Sequence, residues 1–341
     1  MATERALLVA AGGGIGDTLL AGVVARALRT RYAAVDAVVL PAHVQLAGHI
    51  PAVERVIPIG GRLPARYDAA VVTWATLRTA LLPFAARIPV RVGQARRLYS
   101  PLFSNRVVIR SELGDRTTHW TEILLDYARA IGCDLADPQP EFAVHPADDA
   151  SAETLLRVHD VRGEFYLLHP TRGLSARHAR WPTERFADLA QRLTERDGVP
   201  VLVSGGPDDR TIAETIAEGA GRRTIPIAGA TSIGVFAALA ARARAVLAMD
   251  SGPMHVAAAA GAPTVGIFAL QADEPDRWAP RGRRVAVVRP TYPCPPAHRK
   301  ETCPDFACVS ALDVERVIAA LDGLLVPAAD GSTHARRMTQ S

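Results

Sequence analysis

The feature that ties this chain most closely to one kind of fold is its opening. An apolar run from Ala6 to Ala11 leads into a turn, Gly12-Gly13-Gly14-Ile15-Gly16, then a helical stretch from Asp17 to Arg31 and a second apolar run from Ala37 to Leu40. Short apolar runs bounded by turn residues read as buried strands, and strand–helix–strand is the repeating unit of a parallel sheet. Further runs at Val53 to Ile59, Ala69 to Thr73, Arg91 to Val92 and Arg106 to Ile109 are separated by Pro and Gly punctuation. They supply the other strands of a first domain, which a helix from Trp120 to Ile131 closes.

One core does not usually organise 341 residues, so two domains are expected. Asp134 to Asp149 is rich in proline and acid with no sustained period, and reads as the connection. After a helix near Ala152 to His159 the rhythm restarts. It runs through strand Phe165 to His169, helix Pro182 to Arg196, strand Pro200 to Ser204 and a helix from Asp208. It continues with strands Ala245 to Met249 and Pro263 to Phe268, joined by helix Pro253 to Ala260, and a final amphipathic helix spans Asp313 to Leu325. The expected division is residues 1–150, residues 151–325, and a disordered Ala-, Ser- and Arg-rich tail over 326–341.

Composition excludes several classes. No apolar run reaches the roughly 18 residues of a membrane span, and the first strand is too short for a signal peptide, so a cytoplasmic location is expected. The cysteines Cys133, Cys294, Cys303 and Cys308 show no framework spacing and no CxxC pair, so reduced thiols and no metal site are expected. The net charge of +4 says little by itself, because Lys300 is the one lysine in an arginine-biased chain. Its distribution says more: no acidic residue lies between Asp68 and Glu112, a stretch holding Arg78, Arg87, Arg91, Arg96, Arg97, Arg106 and Arg110. That positive field suits an anionic partner, with Arg96 and Arg97 in a loop where phosphate or carboxylate could be gripped. Solvated surface arginine is the competing reading.

Two motifs carry chemistry. In the opening turn the glycines, Gly14 and Gly16 among them, let a ligand approach the backbone at a helix N-terminus. The dinucleotide fingerprint GxGxxG fails there, since Asp17 or Leu19 stands where its last glycine belongs, and no acid ends the next strand. Asp17 is either a helix cap or, at the carboxyl edge of the sheet, a general base for an attacking hydroxyl. The second motif is Met249-Asp250-Ser251-Gly252-Pro253-Met254-His255, where a strand ends and an Ala-rich helix begins. Pro253 suits a first helical turn, and the backbone N–H groups there can bind a pyrophosphate. A capped helix with a buried His255 is the structural alternative.

Asp250-Ser251-Gly252-Pro253-Met254-His255 followed by small residues resembles the Asp-Thr/Ser-Gly-x-x-His signature of glycosyltransferase family 9, the ADP-heptose:lipopolysaccharide heptosyltransferases. Further segments agree in order: Gly16-Asp17, Leu40-Pro41 through Val53-Glu54-Arg55-Val56-Ile57, His169-Pro170 with Arg180-Trp181-Pro182, Val203-Ser204-Gly205-Gly206-Pro207, and Thr231-Ser232-Ile233. The resemblance implies a GT-B fold, two Rossmann-like doubly wound domains facing a central cleft, with acceptor bound by the first and nucleotide-sugar by the second. It implies an inverting, metal-independent transfer of heptose or a related sugar from an ADP-sugar to a glycan such as lipopolysaccharide core. Asp17 would be the base, with Asp250, Ser251, Gly252, His255, Thr171, Arg177 and Arg180 on the donor and Gly14, Gly16, Arg96 and Arg97 on the acceptor side. No cofactor is implied, the donor being a substrate, and contact with the inner membrane face fits an anionic glycolipid acceptor. One position departs: the family's phosphate-binding lysine aligns with Ala179, leaving Arg172, Arg177 or Arg180 to supply its charge. A catalytically silent nucleotide-sugar-binding protein and a sugar-nucleotide epimerase are the alternative readings.

Overall fold

The computed structural model describes residues 4–171, 180–271, 273–293, 303 and 306–326. The expected tail beyond Val326 lies outside them, as do Arg172, Arg177, Ala179 and Cys294. Strands β1 (Arg5–Ala10), β2 (Ala34–Val39), β3 (Arg55–Pro58), β4 (Ala69–Val72), β5 (Val90–Gln94) and β6 (Asn105–Val107) form one parallel sheet in the order β3-β2-β1-β4-β5-β6. Strands β7 (Tyr166–His169), β8 (Val201–Val203), β9 (Thr224–Pro226), β10 (Ala245–Met249), β11 (Thr264–Ile267) and β12 (Val285–Val288) form a second, in the order β12-β11-β10-β7-β8-β9. Counted within each domain the order is the same, 3-2-1-4-5-6, the doubly wound arrangement. The chain is thus two Rossmann-like domains.

Helices of the first domain are α1 (Ile15–Leu20), α2 (Gly22–Leu28), α3 (Val44–Gly48), α4 (Leu77–Ala85) and α5 (Trp120–Arg129). Then follow α6 (Pro146–Val158), α7 (Thr183–Asp197), α8 (Arg210–Ala220), α9 (Ile233–Arg242), α10 (Gly252–Ala259), α11 (Pro275–Trp278), α12 (Ala307–Ser310) and α13 (Val314–Leu325). The central strands are buried on both faces: Ala6, Leu7, Leu8, Val9 and Ala69 to Val72 in one sheet, Val246 to Met249 and Val265 in the other. This is why they read as continuous apolar runs rather than alternating ones.

Two expectations are corrected. The helix expected from Asp17 to Arg31 is two helices meeting at Ala21, and it begins two residues earlier, at Ile15. The connection read as Asp134 to Asp149 is shorter, because α6 starts at Pro146, a proline at the first helical position, where its missing N–H costs nothing. Residue 150 lies within α6, whose Ala152 packs in a core with Phe236 and Leu239 of α9 and Leu46 of α3. Strands β9 and β12 and helix α4 are not separated out by the sequence patterns, since short strands flanked by turns carry little periodicity.

Candidate active site at the domain interface

In a doubly wound sheet the crevice opens where the strand order reverses, between the first and fourth strands at their carboxyl ends. In the first domain that point lies between β1 and β4. The turn after β1 carries Gly12 to Gly16 and Asp17; after β4 come Thr73 and Trp74. A pocket there is lined by Ala10, Gly12, Asp17, Thr73, Trp74, Trp120 and Leu124. Gly13 has φ +69°, the left-handed region that glycine tolerates, and this bend lets the Asp17 carboxylate fold back to accept the Gly14 N–H at 2.8 Å. Gly12 lies so close beneath Trp74 that an added Cβ would stand 2.0 Å from the indole.

The surroundings set the acidity of Asp17. Burial is the largest influence and raises its pKa; the Gly14 hydrogen bond and the nearby His43 oppose this. The balance leaves a carboxylate more basic than usual, as proton abstraction requires. Behind it, His43 is itself buried, its pKa lowered by desolvation, with Nδ1 2.7 Å from the Thr18 hydroxyl.

The second domain's reversal lies between β7 and β10. After β7, a closed network forms: His169 Nδ1 lies 3.1 Å from Ser204 Oγ, Thr171 Oγ1 lies 3.1 Å from His169 Nε2, and Thr171 donates to Asp209 at 3.3 Å. Asp209 also accepts the Gly206 N–H at 2.8 Å. Desolvation lowers the pKa of His169 to about 4. After β10, Asp250 is half-buried, Ser251 precedes α10 in an extended conformation, and Pro253 sits in the first turn. Ser251 Oγ and His255 Nδ1 are both buried without a hydrogen-bond partner among the described residues. The His255 imidazole is held neutral, burial pushing its pKa down to about 4. Two orphaned buried polar atoms beside the free N–H groups of a helix N-terminus are an arrangement that an anion completes.

Folding brings these two turns together. A methyl added at Gly16 would lie 3.2 Å from His255 Cδ2 and 3.6 Å from Gly252 Cα; one added at Gly252 would lie 2.8 Å from Ile15 Cβ and 3.0 Å from the Gly16 nitrogen. The glycines are required because backbone meets backbone here. Nearby, His119 Nε2 lies 2.9 Å from the Ala279 carbonyl, Arg277 donates to the Asp115 carbonyl, and Trp120 packs on Trp278 with ring centroids 5.1 Å apart. The first two contacts link residues about 160 apart, and the wall of the Asp17 pocket is thus braced by the second domain.

The remaining sequence-predicted residues are placed less closely. Arg180 is half-buried just before Trp181, whose indole donates to the Leu312 carbonyl at 2.9 Å. Arg96 and Arg97 lie beyond β5, two strands from β1 on the same carboxyl edge; Arg97 is paired with Glu112 at 2.8 Å. Arg110 is likewise held by Asp126, at 2.6 and 2.7 Å, and Arg91 is spent on the Ile88 and Leu102 carbonyls. The arginine-rich stretch is therefore partly neutralised. Trp74, Thr73, Trp120, His43 and His119 are site residues that sequence reasoning passed over. Trp74 had a signal, its place at the end of the fourth strand, legible once strand order is known.

A model of glycosyltransferase family 9 (heptosyltransferase) matches residues 59–305 of the chain. Lipopolysaccharide heptosyltransferase 2 of Escherichia coli is 26% identical over 302 residues, 81% of this chain and 85% of that protein. Among solved structures, the family 9 glycosyl transferase of Veillonella parvula has a TM-score of 0.81 at 20% identity, covering 94% of this chain and 97% of its own. Heptosyltransferase WaaC of E. coli with ADP has a TM-score of 0.70 at 20% identity, covering 94% and 99%.

Proposed function

The chain belongs to glycosyltransferase family 9, and on that premise we propose that it transfers a heptose or related sugar from an ADP-sugar to an anionic glycan acceptor of the lipopolysaccharide-core kind. The observation that carries the proposal is the apposition of the turn that holds Asp17 and the α10 N-terminus, which meet at Gly16 and Gly252. A carboxylate of raised pKa stands on one of these turns, and buried polar atoms without protein partners stand on the other.

In this reading the acceptor hydroxyl sits in the pocket under Trp74. Asp17 takes its proton as the oxygen attacks the anomeric carbon, and the configuration there inverts. The departing diphosphate is received by the N–H groups of Gly252 and its neighbours, by Ser251 Oγ and by neutral His255. Asp250 holds donor-sugar hydroxyls, and Thr171 lies at the edge of the same crevice. Arg180 is a candidate for the positive charge that the lysine-free position at Ala179 does not provide. The reaction as drawn requires no metal, since fixed dipoles meet the developing charge. That ADP is bound by the similar WaaC of E. coli supports ADP as the nucleotide.

No helix among the described residues is long and apolar enough to cross a membrane. Helix α4 nevertheless exposes Leu77, Leu81 and Phe84, with Leu98 fully exposed nearby, among Arg78, Arg87 and Arg96. A cytoplasmic protein resting that face on an anionic membrane would be held beside a glycolipid acceptor. The decisive experiment incubates the purified chain with labelled ADP-heptose and an acidic lipid A acceptor. Acceptor-dependent ADP release with label on the acceptor supports the proposal. Isomerised free sugar, or binding without turnover, replaces it with the epimerase or the silent binding protein.

A further inference from the structure

Beside the Asp17 pocket, two short segments from different domains run along each other. Residues 115–122 lead into α5 of the first domain, and residues 274–281 hold α11 and the turn after it in the second. Arg277 donates to the Asp115 carbonyl, Arg116 faces Glu274 at 3.6 Å, Trp120 packs on Trp278, and Arg281 reaches Glu122 at 4.0 Å. Arg116 is largely exposed and the Arg281 contact is long, so neither ion pair holds much. His119 differs from them, because it is buried and both of its ring nitrogens are engaged.

The Thr121 N–H donates to His119 Nδ1 at 3.2 Å, so this nitrogen carries the lone pair and caps α5. The Ala279 carbonyl can only accept, so Nε2, 2.9 Å from it, carries the proton. One neutral tautomer satisfies both contacts, and burial keeps the ring neutral by pulling its pKa down to about 3. The two ends of the His119–Ala279 bond belong to the two halves of the proposed site. On one side, α5 carries Trp120 and Leu124, which wall the Asp17 pocket. On the other, just past Ala279, Gly282 lies against α10: a methyl added there would stand 2.8 Å from the Ala258 carbonyl oxygen. We propose that His119 is a positioning residue, tying the α5 wall of the Asp17 pocket to the segment packed on α10, and so keeping base and diphosphate site in register during transfer. The assignment rests on the function proposed above, and in it His119 acts through α5 rather than on the substrates.

Two conservative variants separate the tie from the cap. In His119→Asn the side-chain oxygen can stand where Nδ1 stood and keep the cap, but the side chain is too short to reach Ala279. In His119→Gln the amide nitrogen can stand where Nε2 stood and keep the bond to Ala279, while the cap is lost. His119→Asn should therefore lower kcat by about 10 to 100-fold, the scale of an ångström-sized misplacement, with ADP affinity by calorimetry unchanged. His119→Gln should melt lower, as loss of a cap requires, and retain most of its kcat. Amide exchange reads the tie without turnover: the N–H groups of Arg277, Trp278 and Ala279, bonded within α11, should exchange several-fold faster in His119→Asn and at the wild-type rate in His119→Gln. Unchanged α11 exchange in His119→Asn, or a kcat that does not separate the two variants, overturns the proposal and leaves His119 as a helix cap. A wild type that transfers no sugar defeats the proposed function by itself, and the exchange experiment still decides whether His119 ties the domains.

Discussion

The two sheets share one strand order, yet their carboxyl edges are equipped differently. Both domains fold an aspartate back onto a glycine N–H three residues earlier at 2.8 Å, Asp17 onto Gly14 and Asp209 onto Gly206. In the second domain that aspartate belongs to a network already satisfied by Thr171 and His169. In the first, it faces a pocket walled by Trp74, Trp120 and Leu124, and burial raises its pKa. The orphaned polar atoms of the second domain lie instead after its fourth strand, at Ser251 and His255. One local device therefore serves as a cap in one place and, on the proposed function, as a base in the other. What it packs against makes the difference.

The sharpest way to break this comparison is to remove both carboxylates in turn. Asp17→Asn should lower turnover by about 10² to 10⁴-fold with donor affinity nearly unchanged, the range for loss of a general base. Asp209→Asn should cost about 1 kcal/mol of stability as a cap does, and lower turnover less than about tenfold. Only the deprotonated form of Asp17 acts, so wild-type kcat/KM should fall as pH drops through a pKa above the ordinary carboxylate value of about 3.9. Equal losses in the two variants would end the distinction.

Gly252→Ala tests the apposition. Its methyl would press on Ile15 Cβ and the Gly16 backbone, forcing the turns apart. Turnover should drop by about 10 to 100-fold, the scale of an ångström-sized misplacement. Unchanged kinetics with an unchanged fold would mean that the domains do not meet this way during catalysis.

His255→Gln should raise the donor KM about tenfold, the equivalent of one lost hydrogen bond to a charged group. It should also change acid stability. His255 stays neutral in the folded protein down to about 4, whereas its unfolded pKa is near 6.5, so the unfolded chain takes up the proton first as pH falls. That costs stability by up to about 1.4 kcal/mol per pH unit between those values, with none lost above about 6.5. The glutamine variant should show a shallower decline in urea unfolding over that window; an identical slope would place the proton uptake elsewhere.

The smallest effect is expected from Arg96→Glu, since Arg97 beside it is tied to Glu112. The acceptor KM should rise a few-fold at low salt and less above physiological ionic strength, where screening shortens to about 8 Å. An acceptor KM independent of salt and of this change would make the arginines solvated surface.

The sequence by itself determined the α/β class, the strand-turn-helix character of both motifs and the residues that resemble family 9, because strand runs, glycine turns and proline-started helices depend on neighbours a few positions away. Asp17, Gly16, Gly252 and His255 were legible for that reason. Tertiary structure decided the rest. Trp74 roofs Gly12, Arg97 is claimed by Glu112, α6 begins inside the expected linker, and His49 meets Asp148 from far along the chain. Each outcome depends on strand order and on the docking of one carboxyl edge against another. The burial that raises the Asp17 pKa belongs to the same class, because Thr73, Trp74, Trp120 and Leu124 reach its pocket from distant parts of the chain.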